Sequence, residues 1–146
     1  MADSGAGGDE AIHDAPNFIR VYMSGRVERF LGIDFSPPST DAATGVSSKD
    51  VVILPGEGVS TRIYLPAPSS GGYLRRLPVV VFFRGGGFCL GSASDAATQG
   101  HANQLAAWAS AIVVSVEYSL APQRPVPVLY GDAWAALVPM GGLARR

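Results

Sequence analysis

The chain has 146 residues, 47% of them hydrophobic and 16% charged, with a net charge of −1 and one cysteine, Cys89. That is length enough for one domain with a sizeable core. Scattered basic residues exclude a nucleic-acid surface, a single cysteine excludes an internal disulfide and points to a reducing compartment, and no apolar run approaches the roughly 20 residues of a membrane span. The start, Met1 to Glu10, is acidic and Gly/Ala-rich, without the basic opening and apolar stretch of a secretory signal, so a cytoplasmic protein without a membrane partner is expected.

Residues 1–15 offer almost nothing to bury and are expected to be disordered. Phe18–Tyr22 and Arg26–Leu31 flank Ser24-Gly25, which predicts a two-stranded hairpin. Phe35–Val46, with Pro37-Pro38 and many Ser, Thr and Asp residues, reads as a linker wrapping the domain. Lys49–Leu54 and Val59–Leu65 read as strands, and Pro55-Gly56-Glu57-Gly58 between them predicts antiparallel pairing. Ser69-Ser70-Gly71-Gly72 is a loop before the stretch on which the rest depends.

That stretch is Pro78-Val79-Val80-Val81-Phe82-Phe83, followed by Arg84-Gly85-Gly86-Gly87-Phe88. The apolar run, rich in β-branched and aromatic residues, predicts a strand buried on both faces. Three glycines after it let the backbone turn sharply and bring its N–H groups close to a ligand. Ala96–Ala109 predicts a helix with Ala102, Leu105, Trp108 and Ala109 on its buried stripe, although Gly100 weakens its first turn by about 1 kcal/mol. Ala111–Tyr118 is a second buried strand, so strand, helix and strand imply a right-handed parallel crossover. Pro122, Pro125 and Pro127 stiffen the next loop. A further helix is expected from near Val128 to Pro139, burying Tyr130, Trp134, Leu137 and Val138. Trp108 and Trp134 are expected in the core. The fold class is α/β.

Several pieces together resemble the plant carboxylesterases of the hormone-sensitive-lipase-like branch of the α/β-hydrolases. They are Gly25-Arg26-Val27-Glu28-Arg29, Val46-Ser47-Ser48-Lys49-Asp50-Val51, Gly85-Gly86-Gly87-Phe88-Cys89 and Gly91-Ser92-Ala93. Ser115-Val116-Glu117-Tyr118, Leu120-Ala121-Pro122 and Asp132-Ala133-Trp134-Ala135-Ala136-Leu137 continue the series in the family's order. The resemblance implies an incomplete α/β-hydrolase sheet: residues 1–15 a disordered N-terminus, 16–138 the N-terminal part of the hydrolase domain, 139–146 a divergent tail. It implies hydrolysis of small-molecule carboxylic esters through a Ser-Asp-His triad, with no cofactor and no metal. The N–H groups of Gly86 and Gly87 would form the oxyanion hole, supported by Arg84, Gly85 and Phe88; a third donor would follow the nucleophile.

The sequence departs from that pattern in telling places. No Gly-x-Ser-x-Gly occurs, so none of the triad is present and this chain by itself is expected to be inactive. Arg84 stands where the family has His, and Ser119 where it usually has Arg. A buried guanidinium needs a partner, so either the loop shifts to let Arg84 reach solvent or a carboxylate such as Glu117 compensates it. Arg84 binding an anionic substrate is the less supported use. His13, in the disordered start, and His101, on a helix, are not placed as bases; Cys89 reads as a packing residue. Asp95 and Asp132 read as helix-start carboxylates. Two alternatives accompany the esterase reading: a non-catalytic small-molecule receptor of the gibberellin-receptor kind, against which Gly87 speaks because that pattern has Ser there, and a non-enzymatic fragment. Deprived of a neighbour on one side, Val79–Phe83 would be an exposed edge prone to self-association.

Overall fold

The computed structural model describes residues 9–54, 56, 59–68 and 76–143. The chain divides into two compact units, 1–32 and 33–146. In the first, β1 (Ala11–Ala15), β2 (Ile19–Tyr22) and β3 (Val27–Arg29) form an antiparallel sheet in the order β1-β2-β3. The predicted hairpin is β2-β3, turning at Gly25, whose φ of +85° suits glycine. Ala11–Ala15, expected to be disordered, instead form β1. Composition misjudged them because the strand needs no core: all five residues are exposed, and it is held by the ladder to β2 and by Arg20 on Asp14 at 2.8 Å. Residues 16–32, expected to open the hydrolase domain, group with β1 in this unit.

The second unit holds β4 (Ser47–Leu54), β5 (Val59–Leu65), β6 (Val79–Phe83), α1 (Ala96–Ala109), β7 (Ile112–Glu117) and α2 (Val126–Leu143). Its sheet runs β4-β5-β7-β6. The first two pairings are antiparallel, and β6 lies parallel to β7 with Val79 opposite Ile112 and Phe83 opposite Val116. The turn expected at residues 55–58 lies largely outside the described residues, as does the loop at 69–72. β7 is the strand buried on both faces: Val113 through Val116 are all covered. β6 has no neighbour beyond it among the described residues, and Val79 and Phe83 are 42% and 39% exposed. The reading of β6 as fully buried is therefore corrected to a half-buried edge, because apolar composition cannot reveal whether a second neighbour is present.

Alternation along β6 and β7 sends neighbouring side chains to opposite faces. Val80, Phe82 and Val113 pack with Ala102, Ala106 and Tyr64 on the α1 side. Val81 and Val116 pack with Leu129, Ala136 and Tyr118 on the α2 side. One sheet between two helix layers results.

α1 has the predicted limits, with Asp95 as its N-cap, accepting from the Thr98 N–H at 2.6 Å. Burial alone would raise the Asp95 pKa, but N–H bonds from Thr98 and Ser92, with the Arg84 charge, hold it below the usual range. The buried face is Gln99, Ala102, Asn103 and Ala106, so the predicted stripe is rotated and Trp108 is 82% exposed. α2 likewise buries Leu129, Asp132 and Ala136 and leaves Trp134 exposed, correcting both tryptophans as core residues. Small side chains let these helices lie close to the sheet; bulk alone pointed to the wrong faces. α2 also continues through Pro139 to Leu143, so the start of the expected tail is helical. A proline this near the helix end removes one intrahelical bond without ending the helix.

Candidate active site

β6 delivers the chain into the glycine loop. Gly86 has φ +126°, and a Cβ there would lie 2.3 Å from the carbonyl oxygen of Leu90, so only glycine fits. Gly87 follows at φ +59° and Phe88 at +63°, a left-handed conformation that costs a side chain energy and marks the loop as held by its surroundings. The holding bonds are identifiable. The carbonyl of Gly86 accepts from the N–H groups of Cys89 at 3.1 Å and Leu90 at 3.0 Å, and that of Phe88 accepts from the Ala121 N–H at 2.9 Å. Among the described residues, the N–H groups of Gly86 and Gly87 donate to no protein acceptor.

Arg84 lies beneath this loop, 4% exposed. Of the two expected outcomes for its charge, the carboxylate partner is the one observed. Its Nη2 is 2.9 Å from Glu117 Oε1, and its guanidinium donates to the carbonyls of Val116 and Tyr118, both at 3.2 Å. It also lies 4.1 Å from the centre of the Tyr118 ring, whose hydroxyl donates back to the Arg84 carbonyl at 2.8 Å. Glu117 completes the clamp with its other oxygen, accepting from Ser92 Oγ at 2.8 Å and the Ala93 N–H at 2.6 Å. One ion pair, buried on the Arg84 side and 32% exposed on the Glu117 side, thus binds both ends of the loop to the end of β7. Of the Arg84 nitrogens, Nε is left buried without a partner among the described residues.

A cavity of about 310 Å³ opens beside the loop. Phe83, Arg84 and Phe88 form one wall and Tyr118 another; Leu129, Tyr130, Ala133 and Leu137 of α2 close it. Phe88 and Tyr130 rings meet at 6.0 Å.

The other candidates disperse. His101 is exposed on α1 against Phe82, 5.3 Å between rings, and His13 lies on β1. Cys89 is half-buried, and its backbone closes the loop. Asp132 is not at a helix start: it is buried within α2 and accepts from the Ser119 N–H at 2.8 Å, tying the segment after β7 to that helix. The bonds of Ser92 and Ala93 to Glu117 and this use of Asp132 were missed because no local pattern links residues so far apart in sequence. The same is true of Arg62 on β5, 1% exposed, which spans Asp50 at 2.6 Å, Gln99 at 2.7 Å and the Ser36 carbonyl at 2.5 Å.

A family model of the alpha/beta hydrolase fold matches residues 80–141, covering β6, the glycine loop, the clamp, α1, β7 and most of α2. Over this segment the chain is similar to the α/β-hydrolases, and plant carboxylesterases are among its relatives. A 2-hydroxyisoflavanone dehydratase of Glycyrrhiza echinata is 46% identical over 129 residues, 88% of this chain and 39% of that protein. Probable carboxylesterase 2 of Arabidopsis thaliana is 41% identical over 117 residues, 80% of this chain and 37% of that one. The esterase LipW of Mycobacterium marinum superposes with a TM-score of 0.59 at 38% identity, covering 72% of this chain and 32% of that one. The chain spans about two fifths of the length of the curated relatives it matches. No helix among its described residues is long and apolar enough to cross a membrane.

Proposed function

We propose that this chain supplies the oxyanion-hole half of an active site that hydrolyses small-molecule carboxylic esters. When a nucleophile attacks the ester carbonyl, the carbon becomes tetrahedral and its oxygen gains a full negative charge. The Gly86 and Gly87 N–H groups would receive that oxygen, each preorganised donor contributing about 2.7–4 kcal/mol. Arg84, Gly85 and Phe88 would keep the donors in place through the clamp beneath them. The observation that carries this reading is the pair of N–H groups without internal acceptors, on a loop whose turn only glycine can make, beside an apolar cavity.

The 146 residues contain no Gly-x-Ser-x-Gly, so the nucleophile, its base and the orienting acid must come from outside them. Acting alone, the chain is inactive in this account. The cytoplasm is its proposed location, and the free edge of β6 favours pairing with another polypeptide, including a second copy. A chimera tests the reading: this chain completed with the remaining segment of a plant carboxylesterase should hydrolyse short nitrophenyl esters. The unextended chain should not exceed a mock preparation. An inactive but folded chimera would overturn the proposal.

A further inference from the structure

We propose that Arg62, on β5 and separated from β6 by β7, is a positioning residue for the Gly86 and Gly87 donors, acting through residues 34–36 and 92–94. The inference rests on the ester-hydrolase reading for what those donors do, and it names a residue that sets how firmly they are held. Arg62 is bonded beyond what a buried cation needs. Its Nε and Nη2 meet the two oxygens of Asp50 at 2.6 and 2.9 Å, which already compensates the charge. Nη1 adds two neutral acceptors from separate segments, the Ser36 carbonyl at 2.5 Å and Gln99 Oε1 at 2.7 Å. The residue is 1% exposed, so these bonds form away from competing water. A planar fork reaches a carboxylate along one edge and further acceptors from its end. A lysine ammonium, a single point of charge on a flexible stem, does not span them.

From Ser36 the connection runs on through backbone bonds. The Ser36 N–H donates to the Ser94 carbonyl and the Ala96 N–H to the Asp34 carbonyl, both at 2.9 Å, so residues 34–36 lie antiparallel against 94–96. The turn before α1 is closed on itself. Its Ser94 N–H donates to Ser92 Oγ at 3.0 Å, and its Ser92 N–H to Asp95 Oδ2 at 3.1 Å. That turn presents Ser92 Oγ and the Ala93 N–H to Glu117 Oε2, while Oε1 of the same carboxylate holds Arg84 beneath the loop. The Glu117 side chain is 32% exposed, so it keeps one rotamer only because the turn fixes it. The path from Arg62 to the loop is thus contiguous. Cutting it at Arg62 loosens the turn, lets Glu117 move and slackens its hold on Arg84, while the backbone ladder between β5 and β7 stays in place.

Amide hydrogen exchange of the 146-residue chain, followed by mass spectrometry, tests this without any substrate. Arg62→Lys keeps the charge and removes the fork. Exchange at Cys89, Leu90, Ser92 and Ala93, whose N–H groups bond within the loop and its clamp, should rise about tenfold or more. Exchange across Val113–Val116 on β7 should change less than about twofold, since an arginine that merely stabilised the fold would loosen sheet and loop together. Adding Glu117→Gln should accelerate the loop by less than the product of the two single effects, because both changes cut one path. If Arg62→Lys fails to fold, Asp50→Asn at the half-exposed end of the fork should give the same selective rise to a smaller degree. An unchanged loop in the folded variant, or an equal rise in β7, would overturn the inference. In the completed chimera, Arg62→Lys should lower kcat about tenfold with KM little altered. An inactive chimera would refute the ester reading and leave the exchange result standing, whereas an active chimera whose loop ignores Arg62 would refute this inference alone.

Discussion

Arg84 and Glu117 are the residues through which this loop keeps its shape. Breaking a buried pair leaves one charge uncompensated, whereas replacing both partners is often near neutral. Glu117→Ala strands the buried Arg84 charge and should be destabilising, by less than the about 3–5 kcal/mol of a fully buried pair because Glu117 is partly exposed, and Arg84→Met combined with Glu117→Leu should cost distinctly less. Urea denaturation of the three proteins checks this; a double variant less stable than the single one would show that the pair is not the clamp. Tyr64 gives a second residue-level expectation. It is fully buried with no partner for its hydroxyl, and burial pushes its pKa up to about 12 despite the opposing effect of Arg62. The folded state thus favours the protonated phenol, so its contribution is intact below the ordinary tyrosine pKa of about 10 and is lost as pH rises from there toward about 12. Tyr64→Phe should flatten that alkaline limb at little cost in stability near neutral pH, as followed by thermal melts across the range. An unchanged limb would assign the alkaline loss to another group.

Among the elements, β6 carries the main consequence. Its outer edge has no partner among the described residues, and its Val-Val-Val-Phe-Phe sequence has neither charge nor proline to discourage pairing. The protein alone should be oligomeric by size-exclusion chromatography with light scattering, and Val79→Lys should shift it toward monomer. A sharp monomer near 15.2 kDa for the unsubstituted chain would contradict this. The elements also mark how far the sequence could be read. The limits of α1, the parallel pairing of β6 with β7 and the β4-β5 hairpin followed from local patterns of turn residues and β-branched runs. The helix faces did not. Gln99 and Asn103 are buried on α1, Gln99 against Arg62 from another strand, and no periodicity of apolar residues encodes a partner 37 positions away. Pro139 read as a stop, while α2 continues past it.

At the scale of the molecule, the sequence made the glycine loop and its family resemblance legible because that chemistry is concentrated in adjacent residues. The division at Gly32 was hidden, since β1 is held by backbone pairing and exposed ion pairs rather than by an apolar core. The identity of the Arg84 partner was narrowed to a carboxylate such as Glu117 and became definite only with the fold. What unites these observations is a loop built to present two N–H groups beside an apolar cavity. The most direct measurement is the turnover of the completed chimera with and without Gly86→Ala, whose Cβ would meet the Leu90 carbonyl oxygen at 2.3 Å and displace the donors. The account predicts that kcat falls about 10²–10³-fold, the effect of losing one oxyanion donor, while KM changes little and the fold persists. A folded Gly86→Ala chimera that turns over as fast as its parent would contradict it.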